Sequence, residues 1–230
     1  MKGLFVIGTD TGVGKTLVAS ALLRAYVRLG YRSVGMKPVA AGAELHDGAW
    51  MNEDVAQLRA AGNVDAPLEQ INPYLFRDPI APHIAAEHKG VGIEVPRIRA
   101  AYEALALQAD VVVVEGAGGF LVPLSESRDM ADLVVTLNLP VVLVVGMRLG
   151  CLNHALLTCE AMVARGLRLA GWVANRLDPA MMAYDENLAA LVRRLPAPLL
   201  AELPCQAGMA PDQAASFFSP KRLQGLLCKG

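Results

Sequence analysis

Gly8-Thr-Asp-Thr-Gly-Val-Gly-Lys-Thr16 decides the fold of this chain. The apolar run Leu4-Phe-Val-Ile7 precedes it and reads as a buried strand. After it come Leu17, Val18, Ala21, Leu22, Ala25, Tyr26 and Leu29, an apolar stripe at helical spacing, with Arg24 and Arg28 on the opposite face. Strand, glycine-rich turn, Lys-Thr and helix in that order form the setting of a phosphate-binding loop. The glycines let backbone N–H groups converge on phosphate oxygens with no Cβ in the way. The helix N-terminus adds unsatisfied donors and partial positive charge. Lys15 is placed to reach β- and γ-phosphates, and the Thr16 hydroxyl to ligate Mg²⁺. Against the usual pattern G-x-x-x-x-G-K-[ST], the first glycine is one residue early: Gly8 is present, and the expected position holds Thr9.

Composition limits the alternatives. At 230 residues one domain spanning 1–230 is the default, with room for a large core. Hydrophobic residues make up 54% and aromatics only 5%, so Val, Leu and Ala carry the burial, as in parallel strands covered on both faces. A formal net charge of −1 gives no bulk attraction to nucleic acid or anionic membrane. Cys151, Cys159, Cys205 and Cys228 form no C-x-x-C pair, which argues against a zinc site or a disulfide framework and for reduced thiols in a cytoplasmic protein. Met1-Lys2-Gly3 leads straight into the first strand, with no signal peptide expected. Glu115, Pro140 and Arg148 break the longest apolar runs well short of the ~20 residues of a membrane span.

Along the chain, Ser33-Val-Gly-Met-Lys37 reads as a second strand with Lys37 at its C-terminal end. In a doubly wound sheet that end lines the ligand crevice, so Lys37 is either aimed at the phosphates or a solvated strand-end lysine. Residues 41–53 read as a loop, and Asp54 opens a helical pattern with Val55, Leu58 and Arg59, where capping alone would account for it. Residues 63–96, with five prolines, read as a long irregular crossover of the kind that is often functional. His83 and His88 there lack partners at metal-ligand spacing. A helix over 97–109 leads to Val111-Val-Val-Val-Glu115-Gly-Ala-Gly-Gly119, a buried strand ending in a carboxylate. This resembles a Walker B element able to hold Mg²⁺ or its water shell, with a structural Glu115 as the alternative. Further on, the pattern predicts a helix over 129–139, a strand over 140–145, a loop over 146–153, a helix to about 165, a strand over 169–175, a helix over 184–195, a strand over 198–204 and a helical tail over 210–227. The alternation predicts one α/β domain of P-loop NTPase type, with a mainly parallel sheet and helices on both faces.

Gly8–Thr16, Lys37-Pro38-Val39, Glu115–Gly119 and Leu149-Gly-Cys-Leu-Asn153-His154 together resemble the dethiobiotin synthetase family, nearly end to end. Asn72-Pro-Tyr74, Pro82-His83-Ile84, Ala170-Gly-Trp-Val-Ala-Asn175 and Pro196-Ala-Pro-Leu-Leu200 belong to the same match. The resemblance implies a cyclo-ligase that takes 7,8-diaminononanoate, CO₂ and Mg-ATP to dethiobiotin, ADP and phosphate, the penultimate step of biotin biosynthesis. The route it implies runs through a carbamate and a carbamic-phosphoric anhydride. It assigns catalysis to Lys37, Lys15 and Thr11, and Mg²⁺ to Thr16, Asp54 and Glu115. It assigns ATP to Gly12, Val13, Gly14, Lys15, Thr16 and Leu17, to Asp54, to Glu115, Gly116, Ala117 and Gly118, and, around the adenine, to Asn175, Arg176, Pro204, Cys205 and Gln206. The diamine falls to Lys37, Ala41, Gly118, Gly150, Cys151 and Asn153, the last three across the interface of a homodimer. Two positions depart from the family. Gly12 stands where some members carry an acid, and Ala41 where members often have Ser, a lost hydroxyl worth about 0.5–1.5 kcal/mol of binding.

Other classes fit less well. Partner-switching ATPases that position plasmids or division sites carry an extra lysine early in the loop, where this chain has Asp10, Thr11 and Gly12. The Lys37-Pro38 and Leu149–His154 segments argue against a related amide synthetase or regulatory domain. Lys15, Thr16, Asp54 and Glu115, all intact, argue against a non-catalytic nucleotide-binding module.

Overall fold

The computed structural model describes residues 3–46 and 48–227. In chain order its elements are β1 (Gly3–Gly8), α1 (Lys15–Arg28), β2 (Ser33–Met36), β3 (Val39–Ala40), β4 (Glu44–His46), β5 (Ala49–Met51), α2 (Glu53–Ala61), α3 (Leu68–Ile71), β6 (Tyr74–Leu75), α4 (Pro82–His88) and α5 (Val95–Gln108). There follow β7 (Val111–Gly119), α6 (Met130–Leu137), β8 (Val141–Met147), α7 (Cys151–Ala164), β9 (Leu169–Arg176), α8 (Tyr184–Arg194), β10 (Leu199–Leu203), α9 (Pro211–Ala215) and α10 (Pro220–Leu227).

Six strands form one sheet in the order β10-β9-β8-β1-β7-β2, every neighbouring pair parallel. Successive side chains of a strand point to opposite faces, and here both faces are covered. Leu4 and Val6 pack with residues of α1, α2, α9 and α10, and Phe5 and Ile7 with residues of α5, α6, α7 and α8. This explains why β1, β7 and β8 read as unbroken apolar runs rather than alternating ones. Because all six strands run the same way, their C-terminal ends share one edge. The order β1-β7-β2 sets the phosphate loop, Glu115 and Lys37 beside one another along it.

The predicted α/β fold class holds, and its main elements lie within a few residues of their expected bounds. Several segments differ. The expected loop over 41–53 contains an antiparallel hairpin, β4 with β5, exposed along both strands. The crossover over 63–96 is not irregular throughout: it holds α3, β6 and α4. Pro67 stands at the N-cap of α3 and Pro82 opens α4, where a fixed φ and a missing N–H cost nothing. The expected loop over 146–153 is shorter, since β8 runs to Met147 and α7 starts at Cys151, with Gly150 in the left-handed region before it. The tail is two helices, not one, interrupted at Ser216–Ser219. Cys151, Cys159 and Cys205 are free thiols, while Cys228 and the expected Met1-Lys2 start lie outside the described residues. Among the described residues no helix is long and apolar enough to cross a membrane.

Candidate active site

The loop after β1 closes tightly. A Cβ on Gly8 would stand 2.6 Å from Val13 Cγ2 and 3.0 Å from Lys15 Cγ, so the early glycine is where the loop folds back on its strand. Gly12 and Gly14 occupy the left-handed region at φ 73° and 89°, which L side chains reach only with strain. Gly14 begins α1 with no side-chain cap, leaving that helix's first N–H groups directed at the loop. Asn175, at the C-terminal end of β9, donates from Nδ2 to the Val13 carbonyl at 2.9 Å and lies against Gly14. Lys15 is buried, its Nζ donating to the Asp10 carbonyl at 2.9 Å. Burial, and next the neighbouring Lys37, bring its pKa down to about 8.

Four predicted residues converge beside this loop. Lys37 Nζ lies 2.5 Å from Glu115 Oε1 and 2.8 Å from Asp54 Oδ2. Thr16 Oγ1 lies 2.8 Å from Asp54 Oδ1 and 2.9 Å from Glu115 Oε1. Lys37 is 4% exposed, so the solvated strand-end alternative falls. Asp54 does not cap its helix: the Asn52 side chain accepts from Val55 N–H in that role, and Asp54 turns to Thr16 and Lys37. Burial works to lower the Lys37 pKa, but Glu115 and Asp54 outweigh it and raise it, holding the ammonium charged. Burial also pushes Asp54 up, yet Lys37 and the Thr16 bond carry it below the ordinary carboxylate range. Glu115 is fully buried; desolvation raises its pKa and Lys37 only partly offsets this.

The donor set suits a hard cation. The Thr16 hydroxyl has one hydrogen for two carboxylate acceptors. Glu115 Oε2 is buried with no hydrogen-bond partner among the described residues. Two carboxylates and a hydroxyl match the few protein oxygens that Mg²⁺ takes alongside water and phosphate. No group of three or more His, Cys, Asp or Glu able to hold a metal occurs among the described residues.

A cavity of about 500 Å³ opens over these groups, lined by Thr11, Gly12, Lys15, Lys37, Asp54 and Glu115 on one side. Val39, Ala41, Pro79–Pro82, Ala117, Gly118 and Val122 form the rest of its wall. Gly118, at φ 63°, would bring a Cβ to 2.6 Å from Val122 and 3.6 Å from Thr11 Oγ1. Asn175 is not among the cavity's residues, while Arg176 stacks on Tyr184 at 4.4 Å and donates to the Pro179 carbonyl. Cys205 bonds the Leu177 carbonyl, linking Pro204–Gln206 to the end of β9. Gly150, Cys151 and Asn153 are not among the cavity's residues: Cys151 is buried, and Gly150 and Asn153 are exposed at the start of α7.

Sequence reasoning missed three supports. Arg148 Nη2 pairs with Asp10 Oδ2 at 2.6 Å, tying the end of β8 to the phosphate loop. Asn52 donates to the Ala41 carbonyl at 3.1 Å. Asn72, quoted above only as part of a motif, donates to the Lys37 carbonyl at 2.6 Å. The periodicity of these stretches gave no sign of such side-chain-to-backbone bonds.

Comparison with known proteins agrees with this architecture. A family model described as an AAA domain matches residues 2–213. The chain is 61% identical over 215 residues to the ATP-dependent dethiobiotin synthetase BioD of Aromatoleum aromaticum, covering 94% of this chain and 96% of that protein. The chain belongs to the dethiobiotin synthetase family. Its fold is shared more widely than its sequence. A chain of the MinC:MinD cell division protein complex of Aquifex aeolicus superposes with a TM-score of 0.61 at 12% identity, covering 100% of this chain and 97% of that one. The septum site-determining protein MinD of Pyrococcus horikoshii, complexed with Mg-ADP, gives 0.57 at 14% identity, covering 100% and 99%. At such identities the likeness concerns the fold alone. The left-handed backbone at Gly12 suits glycine.

The two loop glycines should differ in what they tolerate. Gly12→Ala adds only backbone strain, about 1–2 kcal/mol, because nothing lies within 4 Å of its Cβ. Gly14→Ala adds the same strain and a Cβ at 2.3 Å from Asn175 Nδ2, so it also breaks the Asn175–Val13 bond. Urea denaturation should show Gly14→Ala as the less stable of the two; equal losses would remove Asn175 from the loop's support.

Proposed function

We propose that this chain is an ATP- and Mg²⁺-dependent cyclo-ligase that carboxylates 7,8-diaminononanoate with CO₂ and closes the ureido ring of dethiobiotin. The observation that carries the reading is the convergence of Lys37, Thr16, Asp54 and Glu115 beside Lys15, in a chain 61% identical to a dethiobiotin synthetase.

In the reaction, one amine of the diamine adds to CO₂ and loses a proton to give a carbamate. A carbamate oxygen attacks the γ-phosphorus of ATP and ADP departs. The second amine attacks the carbamate carbon, phosphate leaves with the C–O electrons, and a proton goes to solvent. Such chemistry needs positioning and charge stabilisation more than covalent help. Thr16, Asp54 and Glu115 would hold Mg²⁺. When bound, the ion neutralises phosphate charge and helps orient the transferring group.

Lys15 exchanges the Asp10 carbonyl for phosphate oxygens. Lys37 faces the carbamate and the γ-phosphate, two anions that must approach each other. Gly12, Val13 and Gly14, with the first N–H groups of α1 at Lys15, Thr16 and Leu17, cradle the phosphates, and Thr11 and Gly116–Gly118 border them. Asn175 offers a donor and an acceptor to the base, with Arg176 and Pro204–Gln206 alongside. Val39, Ala41 and Pro79–Pro82 make an apolar wall suited to the methylene chain, and their place in the cavity supports that assignment. Gly150, Cys151 and Asn153 sit apart from the cavity, which fits a homodimer in which they reach the carboxylate of a substrate bound to the other subunit. The reading places the enzyme in the cytoplasm, as one domain over 1–230, with no nucleic-acid or membrane partner.

The deciding experiment measures ADP release from Mg-ATP and bicarbonate with and without the diamine. Release that depends on the diamine, with dethiobiotin formed, is expected; release indifferent to it would move the protein to another class of ATPase. Lys37→Gln should lower kcat on the order of 10²–10³-fold while ATP binding persists. The same substitution should raise the Mg²⁺ affinity of the nucleotide-free protein, because Asp54 and Glu115 lose their counter-ion; weaker Mg²⁺ binding would contradict this.

Lys15 gives a pH dependence with a definite sign. Burial and Lys37 bring the Lys15 pKa down to about 8 in the free protein, so at pH 8.5 part of the population has lost its proton and must regain it to meet phosphate. ATP binding should therefore take up protons at pH 8.5 and weaken as pH rises further. Calorimetry in buffers of different ionisation enthalpy reads this directly, and no uptake would mean that Lys15 stays charged throughout.

A further inference from the structure

We propose that Asn72 is a positioning residue for Lys37: its side-chain amide fixes the Lys37 main chain so that the ammonium meets the carboxylate pair. β2 pairs with β7 only as far as Met36 opposite Val114. The next residue leaves the ladder, and Pro38, with no N–H, cannot rejoin it. The segment 71–74 takes over. Lys37 N–H donates to the Ile71 carbonyl at 2.8 Å, and Tyr74 N–H to the Pro38 carbonyl at 3.2 Å. Between these two bonds lies the Lys37 carbonyl, which accepts from Asn72 Nδ2 at 2.6 Å. The second hydrogen of that amide goes to the Tyr74 carbonyl at 3.0 Å.

The requirement is chemically narrow. Two backbone carbonyls on adjacent segments need two donors from one short side chain. Asn supplies both, Asp supplies neither, and Ser supplies one. Asn72 is itself fixed, since its N–H closes α3 on the Leu68 carbonyl at 2.7 Å and its side chain is buried. The anchor acts on the residue whose Nζ sits 2.5 Å from Glu115 and 2.8 Å from Asp54. A shift of about 1 Å in a reacting group can cost on the order of 10²-fold in rate. Of the three bonds strapping Lys37-Pro38 to the 71–74 segment, the one made by Asn72 is the one a substitution can remove without altering the backbone pairing.

A mere cap on α3 would give Asn72 a role in stability and none at Lys37, and two readouts separate these roles. The first is brief acetic anhydride labelling of the nucleotide-free protein, with mass spectrometry scoring acetylation of Lys37 against the exposed Lys221. In Asn72→Ala, Lys37 labelling should rise several-fold while Lys221 is unchanged. The second is steady-state kinetics, where Asn72→Ala should lower kcat about 10–100-fold with the ATP KM nearly constant. Asn72→Ser should fall between wild type and Ala in both, and carries the test should Asn72→Ala fail to fold. Unchanged Lys37 labelling in a folded variant overturns the proposal, as does an ATP KM that rises in step with the fall in kcat. The kinetic arm rests on the cyclo-ligase reading and the labelling arm does not. A wild-type protein without diamine-dependent turnover would therefore refute that reading and leave the role of Asn72 to the labelling.

Discussion

The C-terminal edge of the sheet is organised by one buried ammonium. A lysine taken out of water is tolerated only where opposite charge and hydrogen bonds replace its hydration. Lys37 finds both in Glu115 and Asp54, and these two carboxylates are in turn bonded by Thr16. The four residues come from the end of β2, β7, the first turn of α2 and the first turn of α1. Each of those elements must arrive in place for the others' charges to be compensated. The strand order makes this possible, because β7 lies between β1 and β2 and brings Glu115 between the phosphate loop and Lys37.

The same arrangement leaves an imbalance toward anions. Lys15 lies in the same buried corner but among the described residues donates to a neutral carbonyl, and burial with Lys37 alongside lowers its proton affinity. The glycines of the loop add backbone donors, and α1 has no side-chain cap to satisfy its first N–H groups. Donors and charge are therefore in surplus on the loop side, and carboxylate oxygens on the other side, where Glu115 Oε2 has no partner among the described residues. A ligand carrying both anionic oxygens and a divalent cation answers both deficits at once.

Much of this was legible in the residues. The fold followed from Leu4–Thr16 and the alternation after it, because a phosphate loop fixes a strand before it and a helix after it. Lys15, Thr16, Lys37 and Glu115 stood out because strand ends and loop glycines are local features, whereas Asp54 entered the site only through the family resemblance. The failures share a cause. Pro67 and Pro82 look the same as breakers and as helix starters until the next turn is placed. The β4–β5 hairpin is exposed along its length, so burial left no alternation in it to find. Asn52, Asn72 and the Asp10–Arg148 pair act on backbone or charges that are distant in sequence, and only the folded chain shows their partners.

The position of β1 has a consequence for how the chain comes to fold. β1 lies far from its two neighbours in the chain, β7 and β8, with Leu4 opposite Val113 and Phe5 opposite Val141. The whole stretch between β1 and Val112 must therefore be made before either side of β1 can be paired. Until then Leu4-Phe-Val-Ile7 is an apolar segment with both edges open, the kind of stretch that associates with other chains. Pairing the central strand means closing long loops, whose entropy cost non-local contacts must repay, so the shape of the phosphate loop depends on strands far along the chain.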